Sequence, residues 1–169
     1  MAELDGWRFC PRCRSEVRRE DTVKIECPEC GFITYGSSKP TASGLVLDGE
    51  GRVLLSRRAS EPFAGKWDFP GGFLEEGEDP VDCLRRELEE EAGVEIEPLE
   101  FAGAWTDVYG PRGVSTLNLY WTARIVEGEP EPADDVEEFR WFALDEVPEE
   151  ELAFAHLPKV LSALRNKDA

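Results

Sequence analysis

The sequence predicts a mixed α/β (α+β) fold, in which helices cover a mixed sheet as a sandwich and a small cysteine-rich unit comes first. Three observations predict it. Four of the five cysteines fall within the first 30 residues. Short apolar runs bounded by Gly and Pro follow, as is typical of strands, and helical patterns occur at 79–92 and 157–166. With 169 residues, 41% of them hydrophobic, the chain can bury one core.

The cysteine-rich unit contains two CxxC pairs. Cys10 and Cys13 form the first pair, Cys27 and Cys30 form the second, and 13 residues separate the pairs. Four thiolates at this spacing suit a tetrahedral zinc ion. The alternatives are disulfides or redox dithiols, which need an oxidising compartment or a thioredoxin-like context, and the sequence indicates neither. We therefore expect structural Zn²⁺ in a zinc ribbon over residues 1–38.

Strand patterns occur both in the ribbon and in the second unit, which we place at residues 39–169. The expected strands lie near 23–27, 32–35, 42–48, 52–57, 67–76, 95–108, 115–127 and 139–144. The runs at 42–48 and 52–57 are joined by Gly49-Glu50-Gly51 and predict a β-hairpin. An acidic loop at 128–136 separates the last two strands.

The helix expected at 79–92 carries an unusual charge pattern. Asp79 suits its N-cap and Pro80 its first turn. An apolar stripe faces the sheet and consists of Val81, Leu84, Leu88 and Ala92. A different face carries three carboxylates, those of Glu87, Glu90 and Glu91. Like charges at this spacing repel by roughly 0.2–0.5 kcal/mol per pair, and acids near a helix C-terminus oppose the helix dipole. A hard divalent cation would offset both costs.

Charge and composition exclude several kinds of partner. The chain has 19 basic and 37 acidic residues, a formal net charge of −18. This balance argues against nucleic acid, which needs a basic surface, and against an anionic membrane. Neither a long apolar run nor a signal-peptide pattern is present, so we expect no membrane span and a cytoplasmic protein. The single histidine, His156, lies outside every motif, so Ser-His-Asp chemistry has no support.

Residues 72–94 resemble the Nudix box at each fixed position. The pattern runs Gly72, five residues, Glu78, seven residues, Arg86-Glu87-Leu88, one residue, Glu90-Glu91, one residue, Gly93-Val94. The resemblance implies a Nudix domain that hydrolyses nucleoside diphosphates linked to another group. The alternatives are an acidic solvated helix or a degenerate box in a binding-only protein, but no box position is lost.

The resemblance also implies a metal site in the box. It assigns the catalytic Mg²⁺ or Mn²⁺ ions to Glu87, Glu90 and Glu91. Gly72 would allow close approach of the backbone, and Glu78 would support the metal shell. The bound metal would neutralise charge on the phosphates and lower the pKa of an attacking water.

The resemblance is less specific about the remaining catalytic groups. Arg86 would hold the helix by pairing with a box carboxylate, for which Glu90 lies one turn away. The general base would be a box glutamate or a carboxylate before the strand that carries Trp141. Asp135 is the first candidate and Glu138 the second, and for each a solvated loop acid is the alternative.

The substrate is suggested by the ribbon and by the C-terminal segment. A ribbon before a Nudix domain resembles NADH pyrophosphatases, but their Ser-Gln-Pro-Trp run is absent. Residues 141–148 and 152–154, with Pro111, resemble instead ribbon-bearing FAD and ADP-ribose pyrophosphatases. The implied substrate is therefore FAD, ADP-ribose or a similar small nucleotide, with NADH as the alternative. Candidate contacts are Arg57, Arg58 and Arg112 for phosphate or ribose, and Phe63, Phe73, Trp105 and Tyr109 for a base.

Three further points stay open: the substrate contacts, the oligomeric state and a second hypothesis for function. Most aromatic residues are core residues, and most surface arginines form salt bridges, so each candidate contact has an ordinary alternative. The resemblance allows a homodimer. The second hypothesis for function is a nucleotide-sensing module whose ribbon recruits a protein or nucleic-acid partner.

Overall fold

The strands form three sheets in the computed structural model, which describes Leu4 and residues 6–17, 24–111 and 113–166. The strands are β1 (Lys24–Glu26), β2 (Ile33–Tyr35), β3 (Lys39–Val46), β4 (Val53–Arg58), β5 (Trp67–Asp68), β6 (Gly71–Phe73), β7 (Glu95–Tyr109), β8 (Val114–Glu127) and β9 (Val136–Phe142). The helices are α1 (Pro80–Ala92) and α2 (Leu157–Arg165), with a 3-10 turn at Glu149–Glu151. Each expected strand has a counterpart, although Val23 lies outside the described residues.

The largest sheet is mixed and has the strand order β6-β3-β8-β7. β3 runs parallel to β8, whereas β6 and β7 pair antiparallel with their neighbours. The parallel register sets Thr41 beside Asn118 and Ser43 beside Tyr120. Because side chains alternate along a strand, these four polar residues share one face of the sheet. A second sheet, β5-β4-β9, is antiparallel throughout.

The β-hairpin expected from the runs at 42–48 and 52–57 is wrong. β3 and β4 belong to different sheets and meet only at a bridge between Leu47 and Val53. β3 has β6 and β8 as its neighbours, and β4 has β5 and β9. Neither strand therefore has a free edge to offer the other. The short turn is as expected, but long-range pairing decides the sheet.

The two helices cover opposite sides of the sheets. The core under α1 contains Ala42, Leu54, Cys83, Leu84 and Leu88. The core under α2 contains Leu45, Val53, Leu55, Leu157 and Leu161. Successive residues of β3 and β4 alternate between these cores, as strand geometry requires. Fully burying a leucine contributes roughly 1.5–3 kcal/mol, so both cores stabilise the sandwich. The predicted α/β/α sandwich with a mixed sheet is confirmed.

Helix α1 begins and ends where the sequence indicates. The Asp79 side chain accepts a hydrogen bond from the Val81 N–H at 2.9 Å, and Pro80 occupies the first turn. The helix is 13 residues long and ends at Ala92. Its side chains at Leu84 and Leu88 are fully buried. Within the described part of the chain, no helix is long and apolar enough to cross a membrane.

The N-terminal unit has a small core of its own. Leu4, Cys10, Val17, Ile25 and Cys27 are buried together. β1 and β2 form a separate two-stranded antiparallel sheet beside them. A unit of this size buries too little apolar surface to fold unaided, so an additional source of stability is needed.

Candidate active site

A cleft of about 320 Å³ opens where the mixed sheet meets the helix of the acidic box. Its carboxylates include Glu87 and Glu91 from α1 and Asp135 from the acidic loop. A polar floor comes from the face of β3 and β8 described above, and the aromatic rings of Phe73, Tyr109 and Phe154 also line the cleft. The cleft therefore combines acidic, polar and aromatic surfaces within a small volume, as ligand sites commonly do.

Two glycines bring the backbone against the acidic helix. Gly71 has φ +139°, and a Cβ there would lie 2.2 Å from the carbonyl oxygen of Ala42. A Cβ at Gly72 would lie 2.4 Å from the carboxylate carbon of Glu87. The Gly71 N–H donates to Glu91 Oε2 at 3.1 Å. A side chain at 72 would therefore displace the Glu87 carboxylate, and one at 71 would collide with the backbone of β3.

Arg86 ties the box together. Its Nε and Nη2 donate to the two oxygens of Glu78 at 2.8 and 3.0 Å. Its Nη1 donates to Glu87 at 2.7 Å and to Glu90 at 3.1 Å, and Nη2 also donates to the Phe73 carbonyl at 3.2 Å. The hydrogen bonds from Arg86 lower the pKa of Glu78 to about 2. Glu78 is thus an ionised partner of Arg86, and Arg86 in turn orients Glu87.

Glu91 is a buried acid among other acids. Its burial, with added repulsion from Glu87, Asp135 and Asp68, raises its pKa to about 9 although the Gly71 N–H acts in the opposite direction. Burial also raises the pKa of Glu87. Gathering carboxylates in a poorly hydrated site is costly without a cation. A hard divalent cation with oxygen ligands fits this donor set.

Glu90 has a different setting from the other two box glutamates. Its side chain is 54% exposed and contacts Arg86. It does not line the cleft, whereas Glu87 and Glu91 do. The structure therefore brings two of the three carboxylates directly to the cleft and leaves the third on its outer side.

The acidic loop places Asp135 in the cleft. The Glu131 and Ala133 N–H groups donate to the carbonyls of Ala92 and Glu91 at the end of α1, both at 3.0 Å. The Asp135 carbonyl accepts from the Ala59 N–H at 2.7 Å. These bonds satisfy helix-end carbonyls and hold the loop beside the box. Asp135 consequently lies with Glu91 in the cleft.

Glu138, the second candidate for the general base, does not line the cleft. It lies on β9, where it pairs with Arg140 and lies 3.8 Å from Arg57. Side chains alternate along a strand, so a position three residues after Asp135 faces elsewhere once β9 begins at Val136.

Some of the predicted substrate contacts line the cleft and others do not. Phe73 and Tyr109 line the cleft with their rings 5.4 Å apart in an edge-to-face arrangement. Arg57 does not line the cleft, and its Nε donates to the Gly65 carbonyl. Arg58 does line it. Arg112 lies outside the described residues.

Several cleft residues carry no sequence motif. Asp68 is one, and burial raises its pKa to about 7 although Arg58 lies 3.3 Å away and favours the charged form. The polar floor is another feature, where Thr41 donates to the Asn118 side chain at 2.9 Å and Asn118 donates to Thr116 at 3.1 Å. Only the parallel register of β3 with β8 brings these residues together, and no local pattern indicates that register.

His156 is also buried in the cleft wall. Its Nδ1 lies 2.7 Å from Asp107 Oδ2, and its Nε2 lies 2.7 Å from the Tyr120 hydroxyl. Burial lowers the pKa of His156 although Asp107 acts against this. Both ring nitrogens therefore have partners. No motif in the sequence indicates this position, because His156 is the single histidine of the chain.

The four ribbon cysteines form a second constellation. Their Sγ atoms all lie within 4.8 Å of one another, and none is in a disulfide. Cys10 and Cys30 are 3.7 Å apart, and Cys13 and Cys27 are 3.5 Å apart. Four sulfurs bound tetrahedrally at about 2.3 Å from one zinc ion would lie about 3.8 Å from each other. The cluster can hold a metal ion.

Comparison with known proteins identifies the family. A model of the NUDIX domain matches residues 37–164. The chain therefore belongs to the NUDIX family. A solved NUDIX hydrolase from Nitrosomonas europaea is similar to it with a TM-score of 0.75 and 30% identity, over 93% of this chain and 88% of that chain.

Curated relatives carry several names. The chain is 36% identical over 146 residues to the NAD-capped RNA hydrolase NudC of Pseudomonas aeruginosa, which covers 83% of this chain and 49% of that protein. It is 31% identical over 147 residues to the mitochondrial NAD(P)H pyrophosphatase NUDT13 of Homo sapiens, covering 85% and 40%. It is 29% identical over 124 residues to an ADP-ribose pyrophosphatase of Methanocaldococcus jannaschii, covering 73% and 72%. The chain thus spans about half the length of the NudC relative.

Proposed function

We propose that the protein hydrolyses the diphosphate bond of a nucleoside diphosphate linked to a second group, with Mg²⁺ or Mn²⁺, and releases a nucleoside monophosphate. The observation that carries the proposal is a pair of carboxylates, the half-buried Glu87 and the buried Glu91, held against Gly71-Gly72 at the cleft. Family membership and an intact box support the same reaction.

The metal ligands proposed are Glu87, Glu90 and Glu91. When bound, the metal would neutralise phosphate charge and acidify an attacking water. Arg86 holds Glu87 and Glu90 in place through Nη1, and Glu78 holds Arg86 through two bonds. This pre-organisation is what a reaction carried by positioning and electrostatics requires.

Asp135 is the proposed general base. It lines the cleft together with Glu91 and is held by a loop bonded to the end of α1. A carboxylate there can accept the proton of a water positioned between it and the box. Glu138 would need a change of direction to reach the same place, since it is paired with Arg140 outside the cleft.

The polar contacts of the substrate are assigned to the floor and to Arg58. Hydroxyl and amide groups of the kind found at Thr116 and Asn118 suit ribose hydroxyls. Arg58 supplies a positive charge in a strongly acidic molecule, which suits a phosphate. Phe73 and Tyr109 remain proposed contacts for the planar part of the substrate. Arg57, bonded on the outer side, has no such support.

The zinc ribbon is proposed to be structural. Four thiolates from Cys10, Cys13, Cys27 and Cys30 would complete a tetrahedral Zn²⁺ shell and leave no position for water. The metal would then supply the stability that residues 1–38 cannot obtain from their own core. Cysteines that bind zinc and do not pair as disulfides would fit the expected cytoplasmic location.

FAD or ADP-ribose is the substrate we propose. The similarity to most of the length of the Methanocaldococcus ADP-ribose pyrophosphatase supports it. NADH pyrophosphatase activity is the second candidate, favoured by the similarity to the human NAD(P)H pyrophosphatase.

We also propose a homodimer, because Leu99, Phe101 and Leu117 are exposed apolar residues on β7 and β8. Light scattering on the purified protein tests that state.

The test of the reaction is kcat/KM with Mg²⁺ and with Mn²⁺ across FAD, ADP-ribose, NADH, a nucleotide sugar and dGTP. We expect FAD or ADP-ribose to lead. A kcat/KM for NADH or dGTP that is tenfold higher, equal to about 1.4 kcal/mol on the barrier, would contradict the proposed substrate. The proposed reaction class would still stand. Nucleotide binding with no cleavage of any compound would favour the sensing module instead.

A further inference from the structure

We propose that Phe154 and Tyr109 form an aromatic wall that binds the planar base of the substrate, and that Asp107 and His156 position Phe154 for this role. The inference rests on the proposed function, because it assigns one end of the same cleft. The box indicates none of Phe154, Asp107 and His156, and the resemblance of residues 152–154 to ribbon-bearing pyrophosphatases gives Phe154 no role.

The aromatic wall is defined by Phe154 and Tyr109, both of which line the cleft. Their ring planes are 22° apart and their centroids 5.9 Å apart, so the two rings are roughly parallel. Phe63 packs edge-on against Phe154 at 5.1 Å, and Phe73 packs edge-on against Tyr109 at 5.4 Å. Edge-on neighbours support the two rings from the sides. The two rings of the aromatic wall and their two edge-on neighbours therefore come from four different segments of the chain.

Arg58 adds a cation to the aromatic wall. Its guanidinium lies 5.7 Å from the Phe154 ring centroid and 6.0 Å from that of Tyr109. Its Nε donates to the Pro62 carbonyl at 2.9 Å, and its Nη1 donates to Asp68 at 3.3 Å. Its Nη2 also donates to the Tyr109 hydroxyl at 3.5 Å. A guanidinium has five N–H groups, so two remain beyond these three bonds. A flat π surface next to a guanidinium suits a base that is joined to a phosphate.

The carboxylates of the same cleft orient such a ligand. Glu87 and Glu91 line the cleft, and the proposed metal would bind phosphate oxygens there. With the diphosphate on that metal and beside Arg58, the base is the part of the nucleotide left to contact Phe154 and Tyr109.

Hydrogen bonds anchor the chain just before and just after Phe154. On one side the Ala153 N–H donates to the Trp67 carbonyl at 2.9 Å. On the other side Asp107 Oδ2 accepts from the His156 backbone N–H at 3.0 Å and lies 2.7 Å from His156 Nδ1. The Tyr120 hydroxyl lies 2.7 Å from Nε2. The backbone of Phe154 is therefore anchored to β5 and to β7.

The protonation of this anchor is set by its surroundings. Burial lowers the pKa of His156, so the imidazole is neutral at neutral pH. Burial would raise the pKa of Asp107, but its hydrogen bonds with His156 and Val108 lower it, so Asp107 is ionised. A neutral ring that donates from Nδ1 to Asp107 leaves Nε2 to accept from Tyr120. The anchor is thus fully paired, and the wall is organised before a ligand arrives.

Calorimetric titration with AMP and with ribose 5-phosphate, both in Mg²⁺, tests the aromatic wall, because the two ligands differ only in the base. Wild-type protein should bind AMP more tightly than ribose 5-phosphate. Phe154→Leu should weaken AMP binding at least about fivefold, the lower end for loss of one stacked ring, and leave ribose 5-phosphate nearly unchanged. Phe154→Tyr should keep the preference. Phe9→Leu is the matched control, since Phe9 is 58% exposed in the N-terminal unit and does not line the cleft.

An AMP preference that Phe154→Leu and Tyr109→Leu both leave unchanged, in protein that circular dichroism shows to be folded, would overturn the inference. Equal affinity of the wild type for the two ligands would also overturn it. Asp107→Asn tests positioning: KM for ADP-ribose should rise while kcat stays nearly constant. Unchanged KM and AMP affinity would remove the positioning role.

The same experiment separates this inference from the proposed function. Base binding that depends on Phe154, in a protein that cleaves none of the substrates tested, would defeat the hydrolase proposal and keep the aromatic wall. Rapid hydrolysis with no dependence of AMP binding on Phe154 would keep the hydrolase and defeat the wall.

Discussion

Replacing Glu91 by Gln is expected to stop hydrolysis and, at the same time, to stabilise the metal-free protein at neutral pH. Gln has nearly the same shape as Glu and keeps a side-chain oxygen for the Gly71 N–H. It removes one charge from the proposed metal site, together with the repulsion from Glu87, Asp135 and Asp68. The two effects have opposite signs, which makes the pair of measurements informative.

The size of the stability effect follows from the pKa of Glu91. Burial raises that pKa from 4.5 to about 9. Between these values the folded chain keeps a proton that the unfolded chain releases, so the free energy of unfolding falls as pH rises. At pH 7.5 the loss is up to about 4 kcal/mol, at 1.36 kcal/mol for each unit. Gln does not titrate and avoids this loss, which corresponds to as much as roughly 10 °C in Tm for a domain of this size.

The assay is thermal unfolding of wild type and Glu91→Gln in buffer without added divalent metal, at pH 5 and at pH 8. The Tm difference between the two proteins should be larger at pH 8. Hydrolysis by the variant should fall by a factor on the order of 100 or more, because the metals lose their position. Glu90→Gln is the control for stability, since Glu90 is largely exposed. A pH-independent Tm difference, or turnover within tenfold of wild type, would refute the reasoning.

Three other predictions concern the metal sites and the glycine contact. Purified protein should contain one zinc ion per chain by elemental analysis, and Cys13→Ser should lose it; under half an equivalent, with Cys10 and Cys13 in a disulfide, would contradict the ribbon. Gly72→Ala should lower hydrolysis at least about tenfold, because the new Cβ lies 2.4 Å from the Glu87 carboxylate. Gly49→Ala is its control, with nothing within 4 Å, and equal losses in the two variants would exclude the contact. Removing Mg²⁺ and Mn²⁺ should abolish activity without melting the sandwich, as judged by circular dichroism, whereas loss of fold would assign the metal a structural role.

The sequence was sufficient for the fold class because its signals are local. The N-cap at Asp79, Pro80 and the apolar stripe predict α1, and the structure has the helix at Pro80–Ala92. The strand runs are similarly close to the observed strands. The pairing of those strands was not predictable, since each residue of β3 finds its partner in β8 77 positions later in the chain. A turn of the right composition therefore suggested a hairpin that does not form.

The site was predictable where a motif specifies it and not where distant segments meet. The box indicates Glu87 and Glu91, and the acidic loop indicates Asp135, which all line one cleft. Arg57 and Arg58 are adjacent, and a bulge between them changes the register of β4 with β9. Strand alternation alone could not decide which of the two faces the cleft.

The aromatic end of the cleft shows the same limit. Phe154 lies in a connecting segment that follows the 3-10 turn and precedes α2. It reaches the cleft because Ala153 bonds to Trp67, and His156 bonds to Asp107. Those contacts span more than 45 positions in the chain, and each residue taken alone has an ordinary reading as core or loop. Only the folded arrangement indicates a role for them.

The most direct test of the central claim is the product analysis of ADP-ribose incubated with the protein and Mg²⁺. Chromatography should show AMP and ribose 5-phosphate in equal amounts, formed by wild type and not by Glu91→Gln or by wild type without divalent metal. Intact ADP-ribose at the end of the incubation, together with intact FAD in a parallel sample, would contradict the account. So would cleavage that continues at the same rate in Glu91→Gln.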